Sequence, residues 1–422
     1  MRITILTVGS RGDVEPYVAL GVGLQASGHE VQLATHTRFE AFAQSRGLGF
    51  SPVQGDPLAI LGDEPGRMWL ESGQNPYAFV RRMLDAMKPV AWEILNDFWA
   101  ACQNTDIILY SVLAAFAATS IAEKLAIPSC PAYLQHVHPT RSYPSPMAMP
   151  LSPLGGIYNR LTYPLGEQIV WHLVRRLTNH WRQETLGLPR LPFRSTFGKM
   201  LKRHPLCLYG FSPNVLPKPP EWGAEVSVTG YWFLEKPADW QPPAALVDFL
   251  QSGPPPVSIG FGSMTSRKPE EISEIALQAL AGSRQRGLLL TGWGGLSHAD
   301  LPDDVFKIDS VPYDWLFPQM SAVVHHGGTG TTGAGLRAGV PSVIVPFFAD
   351  QPFWAWRVRE LRVGPRPIPQ KKLSAEQLTA AIHETTSNRE MKMRAAALGQ
   401  RIQAEDGVAQ AVAALNHHLA IH

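Results

Sequence analysis

Apolar runs and amphipathic stretches alternate along the first part of the chain. RITILTV (2–8) has the apolar pattern of a strand, and EPYVALGVGLQAS (15–27) has that of a helix ending at Gly28. The alternation continues with strands at 30–35, 106–111 and 128–134 and a helix at 38–46. Strands that alternate with helices pair in parallel through helical crossovers, so this pattern predicts an open, doubly wound sheet.

A second alternating series begins near residue 255. Its predicted strands are 255–263, 287–293, 321–328 and 341–347, and its predicted helices are 269–282 and 330–338. The 422 residues, 45% of them hydrophobic, are enough to bury the cores of two domains. The sequence therefore predicts an α/β protein with two doubly wound, Rossmann-like parallel-sheet domains that face one another across a cleft.

Proline-dense segments separate the two series. HPTRSYPSPMAMPLSPLGG (138–156) predicts a loop, and SPNVLPKPPEWG (212–223) and EKPADWQPP (235–243) bracket a connection. We place an N-terminal domain at 1–214, a linker at 215–243, a C-terminal domain at 244–400 and a helix that packs back on the N-terminal domain at 401–422.

Charge and cysteine content narrow the class of protein. The 37 basic and 35 acidic residues give a net charge of +2, which gives no reason to expect a nucleic-acid partner. Cys102, Cys130 and Cys207 are far apart and fit no disulfide framework or zinc spacing, so a reducing cytoplasm is the simplest location. The N-terminal segment meets Arg11 too early for a secretory signal, and the apolar stretch 107–122 is shorter than the roughly 18 residues that span a bilayer.

The middle of the chain leaves several roles open. The aromatic segment YNRLTYPLGEQIVWHLVRR (158–176) predicts a helix that fits an apolar wall for an acceptor, a contact with a membrane surface, or plain core packing. His136 and His138, in LQHVHP, have no third ligand at a spacing suited to zinc. The alternative for these histidines is a place in an acceptor pocket.

The richest candidate chemistry lies in VVHHGGTGTTGAGLRAGVPSVIVPFFADQPFW (323–354). An apolar strand runs into a glycine-rich turn and then a helix, where backbone N–H groups and the helix dipole favour a phosphate. His326 adds a hydrogen-bond donor and Thr331 a hydroxyl. The turn has neither the Gly-Lys-Ser/Thr of a Walker loop nor G-x-G-x-x-G spacing, so by itself it is weak evidence for a nucleotide.

Polar and aromatic residues follow the neighbouring strands of this domain. Asp350 and Gln351 come just after the strand at 341–347 and suit the hydroxyls of a sugar, while Ser263 and Trp293 follow two other strands. Because the carboxyl ends of parallel strands share one edge of a sheet, these residues together predict a pocket for a nucleotide sugar.

The first turn, GSRGDVEP (9–16), lies on the equivalent edge of the N-terminal domain. Aspartate is a preferred N-cap, and Glu15-Pro16 suits a first helical turn, so Asp13 has a plain structural interpretation. The alternative is that Asp13 is a reactive group held at the mouth of a site.

These motifs resemble those of the family 1 glycosyltransferases, which have the two-domain GT-B fold. HHGGTGTT with LRAGVPSVIVPFFADQPFW is similar to the donor-binding signature of that family. GSRGDVEPYVALG, GFGSM, GWGG and YDWLFPQMSAVVHHGG are especially similar to sterol glucosyltransferases and to bacterial transferases that act on glycopeptides and other natural products. The resemblance is weakest at 60–200, where acceptor contacts are expected.

The resemblance implies a donor site residue by residue. His326 would contact the diphosphate, and Asp350 and Gln351 would hold the transferred sugar. The other positions implied in donor binding are Ser10, Ser263, Trp293, Val311, Gly328, Thr329, Gly330 and Thr331. Plant relatives have a ribose-binding glutamate where this chain has Gly335, so the ribose contact and the nucleotide stay unassigned.

The resemblance also implies a reaction. Asp13 would take the proton of an acceptor hydroxyl as that oxygen attacks the anomeric carbon, and the diphosphate would leave toward His326 and the helix N-terminus. The configuration would invert, so an α-linked donor gives a β-glycoside. No metal cofactor would be required, and the chain contains no Asp-x-Asp.

The implied function is transfer of glucose, or another hexose, from UDP-glucose to a hydroxyl of a lipophilic acceptor, first of all the 3β-hydroxyl of a sterol. We expect this activity in the cytoplasm, with transient contact to a membrane surface. The alternatives are another natural-product aglycone (a polyketide, glycopeptide or terpenoid), a nucleotide-sugar epimerase, and a non-catalytic protein that binds sugar nucleotides or lipids.

Overall fold

The computed structural model describes residues 1–55, 76–148, 154–195, 197–198, 201, 206–261, 269–290 and 301–421. The chain divides into two units. The first unit comprises Met1–Leu234 and Asp406–His422, and the second comprises Glu235–Glu405.

The sheet of the first unit has seven parallel strands in the order β3-β2-β1-β4-β5-β6-β7. Their bounds are β1 (Arg2–Leu6), β2 (Glu30–His36), β3 (Gly49–Val53), β4 (Ile107–Tyr110), β5 (Ser129–Tyr133), β6 (Cys207–Tyr209) and β7 (Val226–Val228). Ile3 in β1 pairs with Val31 on one side and with Ile107 on the other. The strand order reverses at β1, and ligands of such sheets bind beyond the strand ends at this point.

Six helices of the first unit lie in the described ranges. They are α1 (Arg11–Ala26), α2 (Glu40–Gln44), α3 (Pro76–Ala101), α4 (Ala115–Leu125), α5 (Gly155–Glu184) and the C-terminal α13 (Gly407–Ile421). Short 3-10 turns occupy Thr37–Phe39 and Val112–Ala114. In α1, Val14, Tyr17 and Leu20 are buried against the sheet, and Gly23 leaves room for Val408 of α13.

The sheet of the second unit has five parallel strands in the order β10-β9-β8-β11-β12. Their bounds are β8 (Val257–Gly260), β9 (Gly287–Leu290), β10 (Val305–Ile308), β11 (Ala322–His325) and β12 (Ser342–Ile344). The helices are α6 (Ala244–Gln251), α7 (Pro269–Ser283), α8 (Tyr313–Leu316), α9 (Thr329–Arg337), α10 (Gln351–Glu360), α11 (Ala375–Ser387) and α12 (Arg389–Gln403). Two 3-10 turns span Phe317–Gln319 and Gln370–Lys372.

The predicted fold class is confirmed, because each unit is a parallel sheet connected through helices. The segment 215–243, predicted as a linker, contains β7, and the chain enters the second unit only after Leu234. The proline-rich composition of this segment suggested a linker, but its aromatic side chains Trp222, Tyr231 and Trp232 are buried in the first unit. None of the helices within the described ranges combines the length and apolarity needed to cross a bilayer.

Candidate active site

The glycine-rich turn of the second unit joins β11 to α9. Gly327 has a φ of 90°, a conformation that side-chain-bearing residues rarely adopt. A Cβ at this position would also lie 2.6 Å from Ile344 Cγ2 in β12. Glycine is therefore required here both for the backbone conformation and for close packing.

His325, the last residue of β11, stabilises this turn through a hydrogen bond. Its side chain is fully buried, and the Gly327 N–H donates to its Nδ1 at 3.0 Å. Burial, with a smaller effect from the neighbouring His326, lowers the pKa of His325 to about 3. The imidazole is therefore neutral at physiological pH and serves as a hydrogen-bond acceptor within the turn.

His326, the next residue, lies over the start of α9. A Cβ at Gly328 would come 2.6 Å from His326 Nε2, so only glycine leaves the ring in place. Burial lowers the pKa of His326 to about 4, which keeps the ring neutral with one N–H to donate. Its Nδ1 has no hydrogen-bond partner in the part of the chain that the structure describes.

The N-terminus of α9 is open. Gly328 is the N-cap and supplies no side chain, and the first helical hydrogen bond runs from Thr332 N–H to Gly328 C=O at 2.9 Å. The N–H groups of the three residues before Thr332 have no acceptor within the helix. A Cβ built at Gly330 meets no atom of the described residues within 4 Å. The turn thus offers donors and space to an anion.

Asp350 is tied to this turn. Its Oδ2 accepts hydrogen bonds from Thr329 Oγ1 at 2.8 Å and from Trp354 Nε1 at 2.9 Å. The carboxylate therefore connects the first residue of α9 to α10. Trp354 was missed by the sequence analysis, although its spacing of four residues from Asp350 could have indicated the contact.

Gln351 is buried, and its carbonyl oxygen is used within the second unit. Its Oε1 accepts from the N–H groups of Phe347 at 2.8 Å and Phe348 at 3.2 Å. These bonds shape the loop after β12, in which Ala349 has a φ of 54°. The role of Gln351 toward a sugar stays a prediction.

Four further positions named in the sequence analysis remain, and the structure describes two of them. Gly335 packs against β12, where a Cβ would lie 2.9 Å from Ser342 Oγ, so a larger residue at this position requires the Ser342 side chain to move. Val311 is buried in the core of the second unit. Ser263 and Trp293 lie outside the described residues.

In the first unit, Ser10 and Asp13 form the start of α1. Ser10 is the N-cap and Asp13 is the third helical residue, which corrects the interpretation of Asp13 as the N-cap. The N–H and Oγ of Ser10 donate to Asp13 Oδ2 at 2.8 and 2.9 Å, as in a capping box. The half-buried carboxylate is thus held in one orientation while it also stabilises the helix.

Gly9 makes room for this carboxylate and is held from β2 and the turn that follows it. It has a φ of 134°, and a Cβ there would lie 2.5 Å from Asp13 Oδ2. Its N–H donates to His36 Nε2 at 3.1 Å, and its carbonyl accepts from Arg38 Nη2 at 3.1 Å. The sequence analysis missed His36 and Arg38, because nothing in the motif GSRGD points to a second strand.

Known protein families and solved structures match both parts of the chain. Residues 3–143 match the glycosyltransferase family 28 N-terminal domain, and residues 294–416 match the C-terminal domain described as erythromycin biosynthesis protein CIII-like. The structure of the kitacinnamycin glycotransferase superposes with a TM-score of 0.71 at 23% identity, covering 99% of both chains. The chain therefore has the GT-B fold of these solved glycosyltransferases. The glycosyltransferase VinC, whose structure contains dTDP, has a TM-score of 0.65 at 20% identity and is covered over its whole length, as is this chain.

The chain also has sequence relatives that match it over nearly its whole length. The sterol 3-beta-glucosyltransferase of Emericella nidulans is 40% identical over 432 residues, which are 99% of this chain. The match covers 30% of the relative, so the chain spans about a third of the length of the curated relatives it matches.

The two histidines predicted for an acceptor pocket are packed inside the first unit. His136 Nε2 lies 2.9 Å from the carbonyl oxygen of Pro144, and His138 Nδ1 lies 2.6 Å from the Tyr209 hydroxyl. Burial lowers the pKa of both histidines to about 4. Their contact with an acceptor stays a prediction. Among the described residues, no group of three His, Cys, Asp or Glu side chains is placed to hold a metal ion.

Proposed function

We propose that this chain transfers glucose from UDP-glucose to the 3β-hydroxyl of a sterol, with inversion, to give a β-glucoside. The observation that carries the proposal is the 40% identity, over 99% of the chain, to a protein named sterol 3-beta-glucosyltransferase. The match spans both units of the chain.

The second unit would bind the donor. The open start of α9 offers N–H groups and the positive end of the helix dipole to the diphosphate, and the neutral His326 offers one more donor. Asp350, fixed by Thr329 and Trp354, would accept hydrogen bonds from the hydroxyls of the sugar. Ser10 would approach the donor from the first unit.

The first unit would supply the base. The acceptor hydroxyl loses its proton to the Asp13 carboxylate while its oxygen forms a bond to the anomeric carbon. The bond from that carbon to the phosphate oxygen breaks, and the electron pair leaves on UDP, whose growing negative charge the α9 N-terminus and His326 stabilise. Attack opposite the leaving group converts an α-linked donor into a β-glucoside, and we propose that no metal cofactor takes part.

We also propose that the enzyme works in the cytoplasm at the surface of a membrane, where sterols are found. Cys102, Cys130 and Cys207 are buried free thiols, which suits a reducing compartment. The sterol itself is apolar apart from its hydroxyl, so it must be collected from lipid or from a carrier.

The test is direct product analysis. The protein is incubated with UDP-glucose and cholesterol, and the product is identified by mass spectrometry and by the anomeric proton coupling in NMR. We expect a β-glucoside, unchanged yield in EDTA, and a lower rate with dTDP-glucose. Turnover of a polyketide or peptide aglycone without any turnover of sterol would refute the sterol acceptor, and release of free glucose alone would refute the transferase.

A further inference from the structure

Helix α5 carries a row of apolar side chains that point into solvent. Ile157, Leu161, Leu165 and Ile169 follow one another at intervals of four residues, with exposed fractions of 71%, 52%, 63% and 39%. Residues four apart lie on one face of a helix, so these side chains form a continuous ridge about 18 Å long. We call this surface the α5 ridge. Single exposed apolar residues are common, but a contiguous apolar surface of this length marks an interaction site.

The ridge belongs to a firmly packed helix. On other faces of α5, Tyr163, Trp171 and Trp181 are buried, and Trp171 Nε1 donates to the carbonyl of Pro192 at 3.0 Å. Near its C-terminal end, Arg182 is buried and bonds Glu123 at 2.9 Å. Because the inner faces of the helix are already committed to the core, the ridge is its outward face and its exposure does not come from a loosely attached element.

Aromatic and basic groups extend the ridge. Phe193 is 62% exposed, and its ring packs on His172 at 4.6 Å and under the Arg175 guanidinium at 4.7 Å. Arg160 and Arg176 are exposed on the same helix. The carboxylate that shares this part of α5, Glu167, is engaged with Ser195 Oγ and the Gly198 N–H, and the exposed Glu184 lies at the far end of the helix. The flanks of the ridge are therefore predominantly cationic.

We propose that the α5 ridge docks this protein on bilayers that contain anionic lipid. An apolar ridge flanked by arginines is the pattern of a helix that lies in the plane of a membrane interface, with its apolar side chains among the acyl chains and its cations at the phosphates. A convex ridge fits the deformable lipid surface, and the arginines select its charge. The proposal rests on the sterol acceptor proposed above, because a sterol is dissolved in such a bilayer.

Vesicle binding tests the ridge without any need for catalysis. Wild-type protein, the variant I157Q/L161Q/L165Q and the control Met393→Gln are sedimented with vesicles of phosphatidylcholine alone and with added phosphatidylserine. Met393 is 62% exposed on α12, so its replacement changes an apolar surface residue of the second unit. We expect the triple variant to bind at least about tenfold more weakly than the other two, with unchanged melting temperature because only exposed side chains change. We expect R160Q/R176Q to lose most of the preference for phosphatidylserine.

Activity in two formats separates this proposal from the proposed function. Cholesterol is supplied either within the vesicles or in detergent micelles. We expect the triple variant to lose about tenfold in rate on vesicles and to keep the wild-type rate in micelles. Equal vesicle binding by wild type and triple variant overturns the ridge, and so does loss of rate in both formats, which would make the ridge an acceptor wall. A wild type that makes no glucoside in either format refutes the sterol function, while the vesicle-binding result still decides the ridge.

Discussion

The turn between β1 and α1 and the turn between β11 and α9 are built in the same way. In the first unit the turn starts with Gly9, and in the second it contains Gly327, both at positive φ. In each case a buried histidine at a strand end accepts the N–H of that glycine, His36 at 3.1 Å and His325 at 3.0 Å. An imidazole can accept in this way only through an unprotonated nitrogen, so both turns depend on neutral histidines.

The turns differ in how the following helix begins. In α1 the Oδ2 of Asp13 already accepts from Ser10, so the positive helix end faces a carboxylate of the chain itself. In α9 the N-cap is Gly328, which has no side chain. A Cβ at Gly330 would contact none of the described residues. The same strand-to-helix turn is therefore combined with a negative group at the start of α1 and with the positive helix end at the start of α9. The first turn presents a carboxylate, and the second presents helix N–H groups that suit an anion.

The largest effect is expected from Asp13→Asn. Asparagine keeps a carbonyl oxygen that can accept from the N–H and hydroxyl of Ser10, so it can retain the capping box from the third helical position, but it is not a base. We expect the rate constant of turnover to fall by about 10² to 10⁴, the usual contribution of a general base, with the melting temperature and UDP affinity nearly unchanged. Steady-state kinetics, calorimetric UDP titration and thermal unfolding measure these three quantities. A variant that retains near wild-type turnover would reduce Asp13 to a capping residue and erase the contrast between the turns.

The next largest effect separates Gly328 from Gly330. In Gly328→Ala the new methyl group meets His326 Nε2 at 2.6 Å, so we expect lower stability together with weaker UDP binding. In Gly330→Ala the methyl meets no atom of the residues that the structure describes, and alanine is about 1 kcal/mol better than glycine in a helix, so stability should hold or rise. We still expect UDP affinity to fall roughly tenfold, because the methyl group would enter the space beside Gly330 where we propose that the diphosphate binds. Unchanged UDP binding in Gly330→Ala would place the diphosphate elsewhere.

A smaller effect is expected from the residues that hold Gly9. His36→Ala removes the acceptor of the Gly9 N–H, a bond worth about 1 kcal/mol, and so loosens the peptide that precedes Ser10 and Asp13. We expect turnover to drop about fivefold to tenfold with little change in the KM for UDP-glucose, because the second unit is untouched. His36→Gln, whose carbonyl oxygen can accept the same N–H, serves as the control and should recover most of the rate. If both variants behave alike, the hydrogen bond has no positioning role.

How far the sequence could predict this site depends on how local each feature is. The glycine-rich turn could be predicted because its strand, glycines and helix are contiguous in the sequence, and the capping pair of Ser10 and Asp13 is only three positions apart. The contacts of His36 and Arg38 with Gly9 could not be predicted from the sequence, because they depend on the pairing of β1 with β2. The likeness of Gly335 to a ribose-binding position also failed to reveal that Ser342 occupies the space beside it. Contacts across strands are set by the sheet and leave no local pattern.

The last prediction concerns acid and tests whether the turn in the second unit needs a neutral histidine. The pKa of His325 is about 3 in the folded protein against about 6.5 in an unfolded chain, so the unfolded state binds the proton more readily between these values. His325 therefore adds no penalty above pH 6.5, and it destabilises the fold increasingly as the pH falls from 6.5 toward 3, by up to about 1.4 kcal/mol per pH unit. His325→Asn retains an oxygen that can accept the Gly327 N–H but cannot take up a proton at these pH values. We expect it to be less stable than wild type at pH 7.5, because the smaller side chain leaves a cavity, and to show a shallower loss of stability between pH 6.5 and 4.5 in urea titrations. Parallel stability curves for wild type and variant would mean that the turn does not depend on the charge state of His325, and the resemblance between the two turns would then be one of geometry alone.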